Sequence, residues 1–172
     1  MKSLKLILLV TCCCIMVACS DNEDSNLVPD SLLIENGARV CGEYAFDYDN
    51  EFSPMGGSYI VYKAKDYNMY ERINDLGFGV NFIQAGVMDT GNIFLFTDSE
   101  VIAWSIEQQA MVNSHSYPYY YELYGLVEDN LYYSYKNFDG DKIYAKLDTD
   151  LENEVTISKQ DIPKKFDYYR CF

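Results

Sequence analysis

Few residue kinds in this 172-residue chain could do chemistry. The single histidine, His115, stands between Ser114 and Ser116. Nucleophilic catalysis needs a hydroxyl, a base and an orienting acid brought together, usually from separate segments. A lone imidazole in a Ser-Tyr stretch therefore reads as a loop residue. Zinc asks for more imidazole or thiolate ligands than the chain offers. Carboxylates are abundant, 27 against 13 Lys and Arg, for a formal net charge of −14. Asp148-Thr149-Asp150-Leu151-Glu152-Asn153-Glu154 would present four of them on one face if extended, and Asn137-Phe138-Asp139-Gly140-Asp141 offers oxygens of the kind calcium takes. A calcium loop, however, places Gly after its third acidic ligand and a Glu six residues later. Neither run does so, and Asp-Gly is a hairpin signal. No metal, cofactor or catalytic residue is expected. A carboxylate pair for glycoside hydrolysis could be picked by number alone, so it points to nothing.

The stretch with the most unusual composition is Tyr117-Pro118-Tyr119-Tyr120-Tyr121-Glu122-Leu123-Tyr124. In a strand, Tyr117, Tyr119, Tyr121 and Leu123 share one face and Tyr120, Glu122 and Tyr124 the other. One row can fill a core. Pro118 disfavours a central strand, so the other row can be exposed, where tyrosines give rigid amphipathic area for protein partners or stacking faces for sugars. Tyr117, Tyr119, Tyr120, Tyr121 and Tyr124 are the candidate binding residues. The alternative is that they are cross-strand aromatic pairs of an ordinary sheet.

The elements that must position these residues read as strands. Cys41 to Tyr48, Ser58 to Ala64, Asn81 to Gly86, Asn92 to Thr97, Val101 to Ile106, Tyr117 to Val127, Leu131 to Lys136, Lys142 to Leu147 and Lys165 to Phe172 are short and rich in Tyr, Phe, Ile and Val. Turn chemistry such as Thr90-Gly91-Asn92 and Asp139-Gly140-Asp141 separates them. The best helix candidate, Glu107 to Asn113, is short. The fold expected is all-β, an antiparallel meander of nine or ten strands forming a closed up-and-down barrel or a sandwich. Gly86 to Ile106 also aligns with Gly125 to Asp148 at an offset of about 39 residues, with a fainter copy from Gly57 to Ile73. The turn-Asn-strand-hairpin-strand rhythm of residues 57–148 resembles β-propeller blades, which implies a small degenerate propeller as the alternative architecture.

The N-terminus carries Lys2 and Lys5, then an uncharged apolar run from Leu6 to Val17. That run is shorter than the roughly 20 residues of a spanning helix and fits the apolar region of an export signal. Met16-Val17-Ala18-Cys19 follows, and it resembles the lipobox of bacterial lipoproteins. The resemblance implies that residues 1–18 are a signal peptide and that Cys19 becomes the lipidated N-terminus, carrying a diacylglycerol and an amide-linked chain such as palmitate. Several acyl chains make a stable membrane anchor where one would be reversible. Ser20-Asp21-Asn22-Glu23-Asp24 resembles the acidic surface-export signal of some Gram-negative lipoproteins, implying an outer-membrane, cell-surface location, with the periplasmic leaflet as the alternative.

On that reading residues 19–38 are an acidic tether, with docking of Leu32-Leu33-Ile34 on the domain as a first strand the alternative, and residues 39–172 are one all-β domain. Cys12, Cys13 and Cys14 leave with the signal and Cys19 is consumed by lipid, so Cys41 and Cys171 remain, an even pair in an oxidising compartment near the two ends of the aromatic-rich region. A disulfide between them would lock the first strand to the last; two buried thiols that never meet are the alternative. Eleven basic residues stay against 27 acidic, a formal −16, which repels nucleic acid and anionic head groups. The expected function is a surface-anchored, non-catalytic binding or accessory domain for a protein complex or a glycan. The alternative is a structural or assembly lipoprotein of the cell envelope, and the third reading a small carboxylate-dependent hydrolase.

Overall fold

A computed structural model describes residues 26–53, 56–77 and 82–172; the side chains of residues 50–53, 56, 120 and 121 lie outside that description. The lipobox and the acidic run after it fall outside it too. Among the described residues no helix is long and apolar enough to cross a membrane.

The strands are β1 (Leu27–Pro29), β2 (Arg39–Cys41), β3 (Tyr44–Ser53), β4 (Gly56–Ala64), β5 (Met69–Asp75), β6 (Ala85–Met88), β7 (Asn92–Phe96), β8 (Glu100–Ser105), β9 (Ala110–Ser116), β10 (Tyr120–Val127), β11 (Asn130–Lys136), β12 (Lys142–Asp148) and β13 (Glu154–Ile157); α1 spans Asp30–Glu35. They form three antiparallel sheets, ordered β1-β5-β4-β3-β2 (sheet A), β6-β7-β8-β9 (sheet B) and β10-β11-β12-β13 (sheet C). The chain is all-β as expected, with thirteen described strands where nine or ten were read, and the sheets do not close into a barrel.

Sheet B explains the longest apolar runs. In Asn92-Ile93-Phe94-Leu95-Phe96 the residues alternate between two cores. Ile93 and Leu95 join Ile102 and Trp104 against Cys41, Tyr44, Phe46, Tyr59 and Val61 of sheet A. Phe94 and Phe96 join Val101 and Ala103 against Leu123, Leu131, Tyr133, Ala145 and Leu147 of sheet C. A sheet buried on both faces reads as a continuous hydrophobic run rather than an alternating one. Trp104 is fully buried, with Tyr44 edge-on at 5.3 Å and Phe46 at 6.3 Å.

Three readings of the sequence are corrected. Cys41 to Tyr48 is not one strand: Gly42, at φ +60°, and Glu43 turn β2 back onto β3, pairing Cys41 with Tyr44. Glu107 to Asn113 is not a helix. Gln109 takes φ +51° in the turn after β8, and residues from Ala110 pair with β8; cross-strand pairing outweighs the helical propensity of Glu-Gln-Gln-Ala-Met. Residues from Leu27, read as tether to residue 38, belong to the fold. β1 pairs with β5, and α1 buries Leu33 against Ala45, Ile60 and Tyr62 on the far face of sheet A. Asp30 in the first turn and Gly37 at φ +82° after the last are ordinary start and stop signals.

The segment Lys165 to Phe172, read as a strand, runs as a tail across β10 and β6, the first strands of sheets C and B, to β2 of sheet A. Leu126 N–H donates to Tyr168 O (2.9 Å) and Cys171 N–H to Gly86 O (2.7 Å), with bridges Leu126–Tyr168 and Val87–Arg170. Cys171 then reaches Cys41 on β2 at a Cα separation of 5.0 Å, within the span of a disulfide. Gly86 and Gly125 leave room for this tail. A Cβ on Gly125 would come 2.7 Å from the Phe166 ring and 2.8 Å from Tyr168 O, and one on Gly86 would stand 3.0 Å from Phe172.

Candidate functional site

Sheet C turns one face to sheet B and the other away from the stack. Because β11 alternates, Leu131, Tyr133 and Tyr135 face the core and Tyr132, Ser134 and Lys136 face outward. The neighbouring strands add Glu122 and Tyr124 from β10 and Lys142, Tyr144 and Lys146 from β12, through the register Glu122–Ser134–Tyr144. Tyr124 and Tyr144 lie on either side of Ser134, their ring centroids 6.4 Å apart and their planes only 22° from parallel. Ser134 beneath them is fully buried, with its Oγ 3.2 Å from Tyr124 OH. The two half-buried, near-parallel rings thus form the aromatic floor of this face.

Its rim is polar. Tyr124 OH donates to Glu122 Oε2 (3.1 Å), Lys142 Nζ donates to the same oxygen (3.2 Å), and Lys142 also stands 5.3 Å from the Tyr144 ring. Burial, and then the Glu122 carboxylate, raise the Tyr124 phenol above its ordinary range, while its Ser134 and Lys142 hydrogen bonds pull the other way. It stays a neutral donor at physiological pH. Tyr132 continues the face toward the tail, edge-on to Phe166 at 6.0 Å, and Val155 on β13 is exposed beside it. No further sheet among the described residues packs on this face.

A second cluster closes the seam between sheets B and C. Glu154 Oε2 accepts from Tyr133 OH and pairs with His115 Nε2 at 3.3 Å, and Oε1 accepts from Tyr135 OH at 3.1 Å. Burial and Glu154 together push the Tyr135 phenol up to about 12, and Tyr133, deeper, further still. His115 is therefore not a loop residue. It lies on β9, opposite Val101, and faces sheet C. Through Glu154 this arrangement ties β9 of sheet B to β11 and β13 of sheet C.

Next to this cluster an open groove of about 330 Å³ is lined by Asn92, Ser105, Gln108, Asn113, Asp150 and Glu152, among others. Asn113 Nδ2 crosses it to Asp150 O (2.6 Å). The run from Asp148 to Glu154 does not extend to present four carboxylates on one face. Asp148 Oδ1 accepts from Glu152 N–H (2.9 Å) and Asn153 N–H (3.3 Å), folding a turn that sends Leu151 into the core. These bonds, led by the one from the Asn153 side chain, hold the Asp148 carboxyl below its usual range against a small desolvation cost. Asn137 Oδ1 does the same for Asp139 and Asp141, accepting both N–H groups at 3.0 and 2.8 Å. Both acidic runs thus use oxygens on their own backbone. No group of three or more metal-ligating side chains comes together among the described residues.

The candidate tyrosines part company. Tyr117 is buried, its OH donating to Thr97 O (3.0 Å) and Glu100 O (2.9 Å) and its ring stacked near Phe96 and Tyr135. Tyr119, just before β10, is 60% exposed, and its carbonyl accepts from Lys136 N–H. Tyr120 and Tyr121 open β10, and their side chains lie outside the described residues. Tyr124 joins the floor. Tyr132, Ser134, Lys142 and Tyr144 had not been singled out. The alternation of Leu131-Tyr132-Tyr133-Ser134-Tyr135 was the signal for the first two, while Tyr144 needed the pairing of β12 with β11. Compared with known proteins, the chain matches no protein-family model, no curated protein and no solved structure.

Proposed function

We propose that this is a surface lipoprotein, anchored to the outer membrane through Cys19, whose domain binds a glycan without catalysis on the outer face of sheet C. One observation carries the reading: the stacked Tyr124–Tyr144 floor over buried Ser134, rimmed by Glu122 and Lys142. Sugar rings stack on exposed aromatic faces while their hydroxyls take hydrogen bonds from a polar rim, and this face supplies both. Lys142 is neutralised by Glu122 and the chain carries −14, so the glycan is a neutral one rather than a polyanion. The repeat is read as one blade-like meander per copy, supported by Gly86 and Gly125 falling on the first strands of sheets B and C.

A glycan array probed with the full chain tests the reading. Binding to neutral glycans is expected to vanish in Tyr124→Ala/Tyr144→Ala while the circular dichroism and melting curve stay close to those of the parent. Binding unchanged by that pair would refute the site. A blank array, together with protein capture that does not depend on these tyrosines, would favour the assembly-lipoprotein alternative.

A further inference from the structure

Three sheets have six edge strands, and five are short or covered among the described residues. β2 is three residues long and ends at Cys41 beside Cys171. β6 and β10 take bridges from the tail at Val87 and Leu126. β1 is three residues long and ends at Pro29. β13 is four residues long and turns the Glu154 carboxylate inward onto Tyr133 and Tyr135. Short length, proline, inward charge and covering chain are the usual ways to keep a sheet from adding a strand.

β9 is neither short nor covered and holds no proline; its guards are an inward His115 paired with Glu154 and a one-residue bulge at Val112, where Ala103 pairs with Asn113 and Trp104 with Met111, so its regular edge runs from Asn113 to Ser116. The strand runs seven residues, Ala110 to Ser116, without lysine, arginine or carboxylate, and Met111 and Val112 are 50% and 44% exposed. Its ladder is made to β8 alone, and Ser114 N–H turns to the neighbouring Asn113 Oδ1 (2.9 Å). A row of edge N–H and C=O groups is matched by another extended backbone. Val112 and Asn113 of this strand line the groove whose other wall carries Asp150 and Glu152, and no Lys, Arg or His stands among its lining residues.

We propose that β9 accepts an extended strand from a partner protein with Lys or Arg at alternate positions. The partner main chain pairs with β9 and a basic side chain enters the groove toward Asp150 and Glu152. Alternate side chains of an added strand point to the same face, so one basic residue in two suffices. Charge selects this occupant over a second copy of the chain, which would bring −14 against −14. The surface is distinct from the tyrosine floor, which lies on the far side of sheet C.

The test uses the full chain and two fluorescein-labelled octapeptides, one alternating Thr and Lys and the other Thr and Glu, followed by anisotropy and by amide hydrogen exchange. The Thr-Lys peptide is expected to bind, to slow exchange at residues 113–116, and to weaken with added salt. Asp150→Asn/Glu152→Gln is expected to weaken it about five- to tenfold, the sum of two exposed ion pairs. Val112→Lys, a guard residue on an exposed position, is expected to weaken it further without altering the melting curve. No binding, equal binding of the Thr-Glu peptide, or slowed exchange on another strand would overturn the proposal. So would sedimentation showing β9-dependent self-association, which would make a second copy the occupant.

Discussion

Replacing Cys171 by Ser, or reducing the folded protein, removes the tie between residues 130 apart in sequence. In the chain-entropy account a loop of that length stabilises by about 5 kcal/mol at 25 °C. A single domain is stable by about 5–15 kcal/mol in total, so the loss is a third or more of what holds the fold. With a urea dependence of about 2 kcal/mol per molar, ordinary for a chain of this size, the unfolding midpoint should fall by about 2.5 M. The assay is equilibrium urea unfolding followed by tryptophan fluorescence. Trp104 is the only tryptophan and sits in the core between sheets A and B beside Tyr44, so its emission reports the layer that Cys41 belongs to. Wild type with reductant and Cys171→Ser without it should coincide, and wild type without reductant should stand apart. Two results would refute the reasoning: thiols at Cys41 and Cys171 that react in the folded, non-reduced protein, or an intact bridge whose removal shifts the midpoint by less than about 0.5 M.

Other outcomes follow from the same geometry. Tyr135, held neutral to about 12 by burial and Glu154, contributes stability that is complete below its unfolded value near 10 and is lost as pH rises toward 12; Glu154→Gln should move its absorbance titration back toward 10. Phe94→Ala, at a fully buried position between sheets B and C, should cost about 3–5 kcal/mol in urea unfolding. Gly125→Ala should displace the tail, because its Cβ would meet Phe166 and Tyr168, and limited proteolysis should then cut after Lys164 or Lys165 faster than in the parent. Cys19→Ser should move the protein from the membrane fraction to the soluble one, and unchanged fractionation would argue against the anchor.

Much of the sheet structure was legible because alternation is local. The strands read at Ser58 to Ala64, Asn92 to Thr97, Val101 to Ile106, Leu131 to Lys136 and Lys142 to Leu147 fell close to the observed ones, while β5 and β9 were missed and β6 was placed four residues early; the split of Leu123 inward and Tyr124 outward follows from a period of two. The pairing of Cys41 with Cys171 was suggested by their places near the ends of the aromatic-rich region. What stayed hidden was mostly non-local. Glu154 meets His115 only because β9 and β13 are edges of neighbouring sheets, and no spacing rule links an imidazole to a carboxylate in another hairpin. Tyr144 reaches Tyr124 across an intervening strand. The tail looked like a strand because Lys165-Phe166-Asp167-Tyr168-Tyr169 alternates, yet it makes only isolated bridges. The misses at Gly42 and at Asp30 to Gly37 were local, and their turn and cap residues were in plain view.

The path of residues 166–172 also dictates an order of assembly. Each sheet is built largely from strands that follow one another in sequence with short connections, so each can form as soon as its own segment has been made, at little loop-closure cost. The tail visits β10, then β6, then β2, meeting the sheets in the reverse of their synthesis. The nascent chain would therefore carry three paired sheets whose edge strands β2, β6 and β10 lack the tail until those seven residues emerge. During that interval the longest exposure falls to β2, the earliest strand waiting on the latest segment. A chaperone that recognises open strand edges would have its window there, and it would shut when Cys171 reaches Cys41.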